Sequence, residues 1–372
     1  MRKKSEKIKI LHCIYDSVGN KWINGGGAYR TIEIYKRFPK NYNITILTGN
    51  YPGRKNKKIV GDNVNIKYMG IGLFYFISRF SYMYLARKYL RNNYFKYDLI
   101  IEDFTPYTPL KSYQYKNSIC IIQNYFGFNL FKKFFIFGGI LPYFRELKMI
   151  SKFKNIIFSS NYIKNIILSK IKERKRFNYS VISYGINKQL FSNKIEDKRY
   201  ILFLGRIEFY QKGLDVLLKV MKEISDIHLI IAGSGKDEKR LKSFIKKLTN
   251  VSFIGRVSGE KKIKILKEAS FTVMPSRYES FGIVAVESSA AGTPVIGVKN
   301  TGLEETIVHK KTGILIERLS DELLKNAILF LWNNKKELKK YSQHAKEFAK
   351  RFDWNFLAKK QLEFYNKIIL TQ

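Results

Sequence analysis

Cysteine is scarce in this chain. Its two copies, Cys13 and Cys120, each lie inside a strand-like apolar run, where a thiol serves as a small buried hydrophobe in a reducing compartment. They are too few for a metal cluster, and the four histidines, His12, His228, His309 and His344, are scattered without ligand spacing. An Asp-x-Asp pair, a common metal-binding arrangement, is also missing. The expectation is chemistry that uses neither a metal nor a bound cofactor. Long apolar runs are equally absent: the longest uncharged stretch, Asn117 to Phe131, contains Gln123, Asn124 and Asn129 and falls short of the roughly 20 residues that span a bilayer. The first apolar run, Ile8 to Ile14, is brief and mixed with Lys9 and His12, so it reads as a strand and not as a secretory leader. A cytoplasmic location follows from this reading.

Acidic residues are also few. Against 69 Lys and Arg stand 30 Asp and Glu, a formal charge of +39. Residues 1–190 hold 35 basic and 9 acidic side chains, a net of +26, so the excess sits mainly in the first half. Such a field attracts polyanions, meaning nucleic acid, anionic lipid headgroups or phosphorylated substrates. A bland reading stands beside it, because Lys, Ile, Asn and Tyr are abundant throughout.

At 372 residues and 45% hydrophobic content, the chain has room for two domains, each with its own core. The most informative stretch is Pro275 to Pro294, PSRYESFGIVAVESSAAGTP. Glu279 and Glu287 stand eight positions apart, with Gly282 opening an apolar helix between them. One carboxylate belongs to the loop and the other to the helix. A loop entering a helix presents unpaired backbone N–H groups and the positive end of the helix dipole, which suit phosphate or sugar oxygens. Two glutamates on a solvated helix face remain the alternative on spacing alone.

Glu279-Ser-Phe-Gly through Glu287 closely resembles the E-x7-E signature of retaining glycosyltransferases of family 4, which have the GT-B fold. The resemblance implies that Glu279 holds hydroxyls of a donor sugar, that Glu287 holds the ribose of a nucleotide, and that Ser280, Phe281 and Gly282 orient the sugar. Further elements match. Tyr200 to Leu204 ends in Gly205-Arg206, with Lys212-Gly213 following, like the G-R…K-G element that assigns Arg206 and Lys212 to the donor diphosphate. Two fixed cations beside a leaving group stabilise the charge that develops on it. Gly233-Ser234-Gly235 is a second strand-to-helix glycine turn, alternatively simple tight packing, and Gly255-Arg256 resembles the segment holding the base. The corner Tyr184-Gly185-Ile186-Asn187 resembles the one that closes the first domain in this family.

The first domain carries weaker signals. Ile8 to Ile14, the Gly25-Gly26-Gly27 loop and a helix from Ala28 to Phe38 form the opening of a nucleotide-binding α/β unit. By resemblance Gly26 and Gly27 face the donor phosphate, with Arg30 one turn further on. The strands Tyr97 to Ile101 and Ser118 to Ile122 end in Glu102-Asp103 and Gln123-Asn124, where ligands of open α/β sheets bind. Many relatives place a histidine where Gln123 stands, so an amide takes that position here. Asp103 is the nearby carboxylate able to take a proton from an acceptor hydroxyl, or else caps a helix. Two aromatic segments, Gly72 to Asn93 and Phe131 to Phe144, either fill a core or dock on an anionic membrane surface.

The reading is therefore an α/β chain of the GT-B type, two doubly wound Rossmann-like domains facing each other across a cleft. The divisions are 1–192 on the acceptor side, 193–352 for the nucleotide sugar, and 353–372 as a helix returning to the first domain, with Asn193 to Arg199 as linker. The resemblance implies a hexosyltransferase that uses a UDP- or GDP-linked sugar and a glycan or lipid-linked acceptor in polysaccharide or glycolipid assembly. Alternatives are an epimerase of the same fold and a basic nucleic-acid-binding protein. A glycosidase is disfavoured, because hydrolases need paired carboxylates across one bond.

Overall fold

The computed structural model describes residues 7–20, 22, 26–53, 61–125, 127, 143–171, 177–192 and 198–371. It contains two compact units, Met1–Tyr184 joined by Trp354–Gln372, and Gly185–Asp353.

Unit 1 is built on β1 (Ile8–Cys13), β2 (Tyr42–Gly49), β3 (Val64–Met69), β4 (Leu99–Asp103), β5 (Ser118–Ile122), β6 (Asn155–Phe158) and β7 (Asn178–Val181). These form one seven-stranded sheet in the order β3-β2-β1-β4-β5-β6-β7, with every pairing parallel. Parallel strands are covered on both faces, which is why β1, β4 and β5 read as near-continuous apolar runs. The helices α1 (Gly26–Tyr35), α2 (Tyr75–Asn93) and α3 (Asn161–Lys170) provide part of that cover. The Ser160 hydroxyl accepts from the Ile163 amide and so caps α3.

Unit 2 repeats the plan with β8 (Ile201–Leu204), β9 (Leu229–Ala232), β10 (Val251–Phe253), β11 (Phe271–Met274), β12 (Val295–Val298) and β13 (Gly313–Ile316). Their order is β10-β9-β8-β11-β12-β13, again all parallel. Its helices are α4 (Leu214–Glu223), α5 (Glu238–Ile245), α6 (Gly259–Glu268), α7 (Ile283–Ala290), α8 (Asp321–Asn333) and α9 (Lys335–Ala349), and the last helix of the chain is α10 (Trp354–Leu370). Helices α8 and α9 are separated at Asn334, whose side chain donates back to the Phe330 carbonyl.

The division between units falls after Tyr184, eight residues ahead of the expected one after Ser192. Gly185 to Phe191 joins unit 2 because the Ile186 amide donates to the Phe352 carbonyl and Leu190 is buried. Helix α10 belongs to unit 1, where Trp354, Leu357, Phe364 and Tyr365 pack with Ile10, Ile44 and Ile119 of the sheet. Of the expected linker, only Lys198 and Arg199 are among the described residues, as is only the end of the Phe131 to Phe144 segment. Cys13 and Cys120 are free and buried, and burial pushes both thiols up. No helix among the described residues is long and apolar enough to cross a membrane.

In each sheet the strand order reverses once, between β1 and β4 and between β8 and β11. Loops leaving the carboxyl ends of two such strands turn to opposite faces and leave a crevice, the usual place for a ligand in an open α/β sheet. Gly213, at the unit 2 crevice, has φ +67°, and a Cβ there would lie 1.9 Å from the Pro275 carbonyl oxygen. Gly213→Ala is expected to destabilise unit 2 by roughly 3 kcal/mol, whereas Gly255→Ala should cost about 1 kcal/mol. Gly255 also has positive φ but meets nothing within 4 Å. Urea unfolding of the two variants checks the contrast.

Candidate active site

The crevice of unit 2 is made by backbones in close contact. A Cβ at Gly233 would lie 1.8 Å from the Gly205 oxygen, and one at Gly235 would lie 2.4 Å from the Ile207 oxygen. The Gly205 amide donates to the Ala232 carbonyl, and the Gly233 amide donates to the Gly255 carbonyl at 2.8 Å. Gly205, Gly233 and Gly235 therefore have a packing reason to be glycine, namely that the turns after β8 and β9 touch main chain to main chain.

The loop after β11 is pinned from both sides. Arg277 makes two 2.8 Å contacts with the Asp215 carboxylate, lies over the Tyr210 ring, and accepts nothing, being a donor throughout; its amide donates to the Gln211 carbonyl at 3.0 Å. On the far side, the Gly302 amide donates to the Glu279 carbonyl at 2.7 Å. Between these anchors Lys212, in the helical turn Phe209–Lys212, donates through Nζ to Glu279 at 2.5 Å. Both groups are largely buried, so the pair is weakly screened and well placed.

Glu287 lies on α7, whose preceding residue Gly282 has φ +90° and lets the chain turn sharply into the helix. Lys262 of α6 holds the Glu287 carboxylate at 2.6 Å. Ser280 and Phe281 are buried, with the Phe281 ring edge-on to Phe352. Arg206 and Arg256 are exposed, and Arg206 pairs with Glu208 at 2.9 Å. The structure thus brings together Lys212 with Glu279, and Glu287 with Lys262, a partner that no spacing signal singled out.

In unit 1, Asp103 at the end of β4 is held by two donors. His12 Nε2 lies 3.0 Å from one carboxylate oxygen and Gln123 Nε2 donates to the other at 2.8 Å. A carboxylate only accepts, so His12 donates from Nε2, and Nδ1 is hydrogen-bonded to the Tyr35 hydroxyl at 2.7 Å. Tyr35 and Tyr365 share a hydrogen bond, Gln361 Nε2 donates to Tyr365 at 2.8 Å, and Arg30 donates to the Gln361 oxygen at 2.8 Å. Burial pushes both phenols up, which keeps them protonated as links. From the other side, the Tyr184 hydroxyl donates to the Gln123 side-chain oxygen, and a Cβ at Gly27 would lie 2.9 Å from Gln123 Nε2. Gly27, Gln123 and Asp103 therefore meet at the β1/β4 crevice, with Gly26 beginning α1 beside them; Gly25 lies outside the described residues.

Arg30 departs from its expected place. It is 1% exposed, and its guanidinium donates to the carbonyls of Ile182 and Ser183 as well as to Gln361, so it ties α1 to the end of β7 and to α10. A cation one turn into a helix looks exposed in sequence; only the return of α10 covers it. His12 was passed over for the converse reason, since a lone histidine within a strand carries no spacing signal.

Comparison with known proteins adds a family match within unit 2. The model of the glycosyl transferases group 1 family matches residues 185–348, inside unit 2. An uncharacterized glycosyltransferase of Methanocaldococcus jannaschii is 37% identical over 201 residues, 54% of this chain and 55% of its own length. Phosphatidyl-myo-inositol mannosyltransferase of Mycobacterium leprae is 32% identical over 174 residues, 45% of this chain and 46% of that one. The chain spans about half the length of these curated relatives. Among solved structures, sucrose-phosphate synthase of Thermosynechococcus elongatus covers 98% of this chain and 100% of its own, with a TM-score of 0.83 at 17% identity. That likeness carries the fold alone, and the fold is GT-B.

Arg30→Ala should lower unfolding stability by about 3 kcal/mol, because buried carbonyls and Gln361 lose their donor, and Arg30→Lys should recover less than half, since one ammonium does not span three acceptors. Chemical denaturation measures both.

Proposed function

From the match of residues 185–348 to the glycosyl transferases group 1 model, we propose that the chain transfers a hexose from a UDP- or GDP-linked sugar to an acceptor hydroxyl, with retention of configuration and without metal or cofactor. The observation that carries this reading is the 2.5 Å pair between Lys212 and Glu279 at the β8/β11 crevice, with Glu287 eight residues on and held by Lys262.

Each group has a task that its chemistry suits. Arg206 is exposed and Lys212 is fixed by Glu279, so a diphosphate meets one adaptable and one preset cation. As the bond from the anomeric carbon to the phosphate oxygen breaks, charge grows on that oxygen, and a cation already in place stabilises it without reorganising. The acceptor oxygen then bonds to the same face of the carbon, and its proton passes to the departing phosphate oxygen. Glu279 and the amides of Phe281 and Gly282 orient sugar hydroxyls, while Glu287 accepts from the ribose. Gly26 and Gly27 remain donor-side candidates, Arg256 and the crevice glycines the base-side ones. On the acceptor side the reading keeps Asp103 and Gln123. A glycan or lipid-linked saccharide in cell-surface polysaccharide or glycolipid assembly is the acceptor class, with the protein cytoplasmic and seated on the inner membrane face. The mannosyltransferase relative, by its name, supports a lipid-borne acceptor.

Thermal melting with UDP, GDP and their hexose conjugates tests the donor. A ligand at a hundredfold excess over its Kd stabilises by about 2.7 kcal/mol. One nucleotide series should raise the melting temperature of the native chain and leave Glu287→Ala unmoved; a shift with DNA and none with any nucleotide would sink the reading. In turnover, Lys212→Ala should lower kcat by about 10²–10³-fold, the loss expected for a removed oxyanion partner.

A further inference from the structure

Several large apolar side chains of α2 point away from the protein. Phe76, Ile77, Phe80 and Tyr84 fall at helical spacing on one face of the helix and are 45–67% exposed, and Leu73, just ahead of the helix, is 68% exposed. The opposite face, turned to the core, carries Ser78, Tyr82, Ala86 and Leu90. An ordinary surface helix of a globular protein carries polar residues on its outward face, where α2 carries apolar ones. The inward face is firmly attached: Ser78 Oγ donates to the Asn50 carbonyl at 2.6 Å, the Tyr82 hydroxyl to Leu47 at 3.2 Å, and Arg87 to the Pro109 carbonyl. Arg79 is drawn inward as well, donating to the Tyr75 hydroxyl and to Thr105. Rotation of the helix to hide the phenyl rings is thereby blocked.

We infer that this stripe is a membrane-docking surface, whose occupant is the headgroup and upper acyl region of a bilayer containing anionic lipid. The charge around it supports that occupant over a protein partner. Between Asp62 and Asp98 there is no acidic residue, while Lys67, Arg79, Arg87, Lys88, Arg91 and Lys96 occur. At 100° per residue, Lys88 and Arg91 continue the same face beyond Tyr84, and both are exposed. Apolar rings followed by cations on one stripe match a boundary whose interior is hydrocarbon and whose surface is negative. From Phe76 to Tyr84 the stripe is about 12 Å long at 1.5 Å per residue. It therefore lies along the interface and does not cross it. The inference gives the membrane seating proposed above a named element, and it is read without donor or acceptor, so it stands or falls apart from the transfer chemistry.

The test is sedimentation of the full chain with vesicles of phosphatidylcholine alone or mixed with phosphatidylglycerol, at physiological salt. The native chain should sediment with the anionic vesicles, and Phe76→Ser combined with Phe80→Ser should weaken that binding by about tenfold or more, with an unchanged melting temperature because both rings are exposed. Lys88→Glu with Arg91→Glu should remove the preference for anionic vesicles. The proposal is overturned if the native chain leaves both vesicle types in the pellet unaccompanied, or if the double serine variant binds as well as the native chain, which would assign binding to diffuse charge. It is likewise overturned if the native chain forms a dimer that the serine variant abolishes, since the stripe would then be the seat of a second copy.

Discussion

Contact between main chains at the carboxyl ends of β8, β9 and β11 is the constraint on which the rest of unit 2 depends. Gly213 lies against Pro275, Gly233 against Gly205, and Gly235 against Ile207, each closer than any side chain allows. These contacts bring the turn bearing Lys212 to the loop bearing Glu279, and the Arg277 fork on Asp215 locks the two together. An ion pair at 2.5 Å is thus a product of glycine packing as much as of charge. In a crevice so confined, cation and carboxylate need little reorganisation when a ligand arrives.

Unit 1 solves its equivalent problem with hydrogen bonds. A run of hydrogen bonds from Arg30 through Gln361, Tyr365, Tyr35 and His12 ends on Asp103. Linked bonds of this kind polarise one another in a low-dielectric interior. Helix α10, far from Asp103 in sequence, takes part in orienting it, so the C-terminus of the chain contributes to the β1/β4 crevice of this unit. Helix α2 buries Tyr82, Ala86 and Leu90 in the core and still leaves Phe76, Phe80 and Tyr84 outward.

Much of this was legible in the sequence. Runs of branched apolar residues separated by helical periodicity marked the parallel strands, because strands covered on both faces have no polar side to show. The resemblance carried by the E-x7-E stretch, the Gly205-Arg206 turn and Lys212-Gly213 pointed to Lys212, Glu279 and Glu287 of unit 2, which the structure pairs, Lys212 with Glu279 and Glu287 with Lys262. Arg30 was misplaced and His12 and Lys262 were passed over, because each acquires its role from a partner distant in the chain: Gln361, Asp103 and Glu287.

By itself, then, the sequence determined the alternation of strands and helices and the turns where glycine is required. Local periodicity and backbone sterics suffice for those. Tertiary structure alone decided which cation pairs with which carboxylate, whether Arg30 faces water or the interior, and which face of α2 is left outward. Each of these depends on what packs over a side chain, and burial by a distant segment leaves no mark at the residue that is buried.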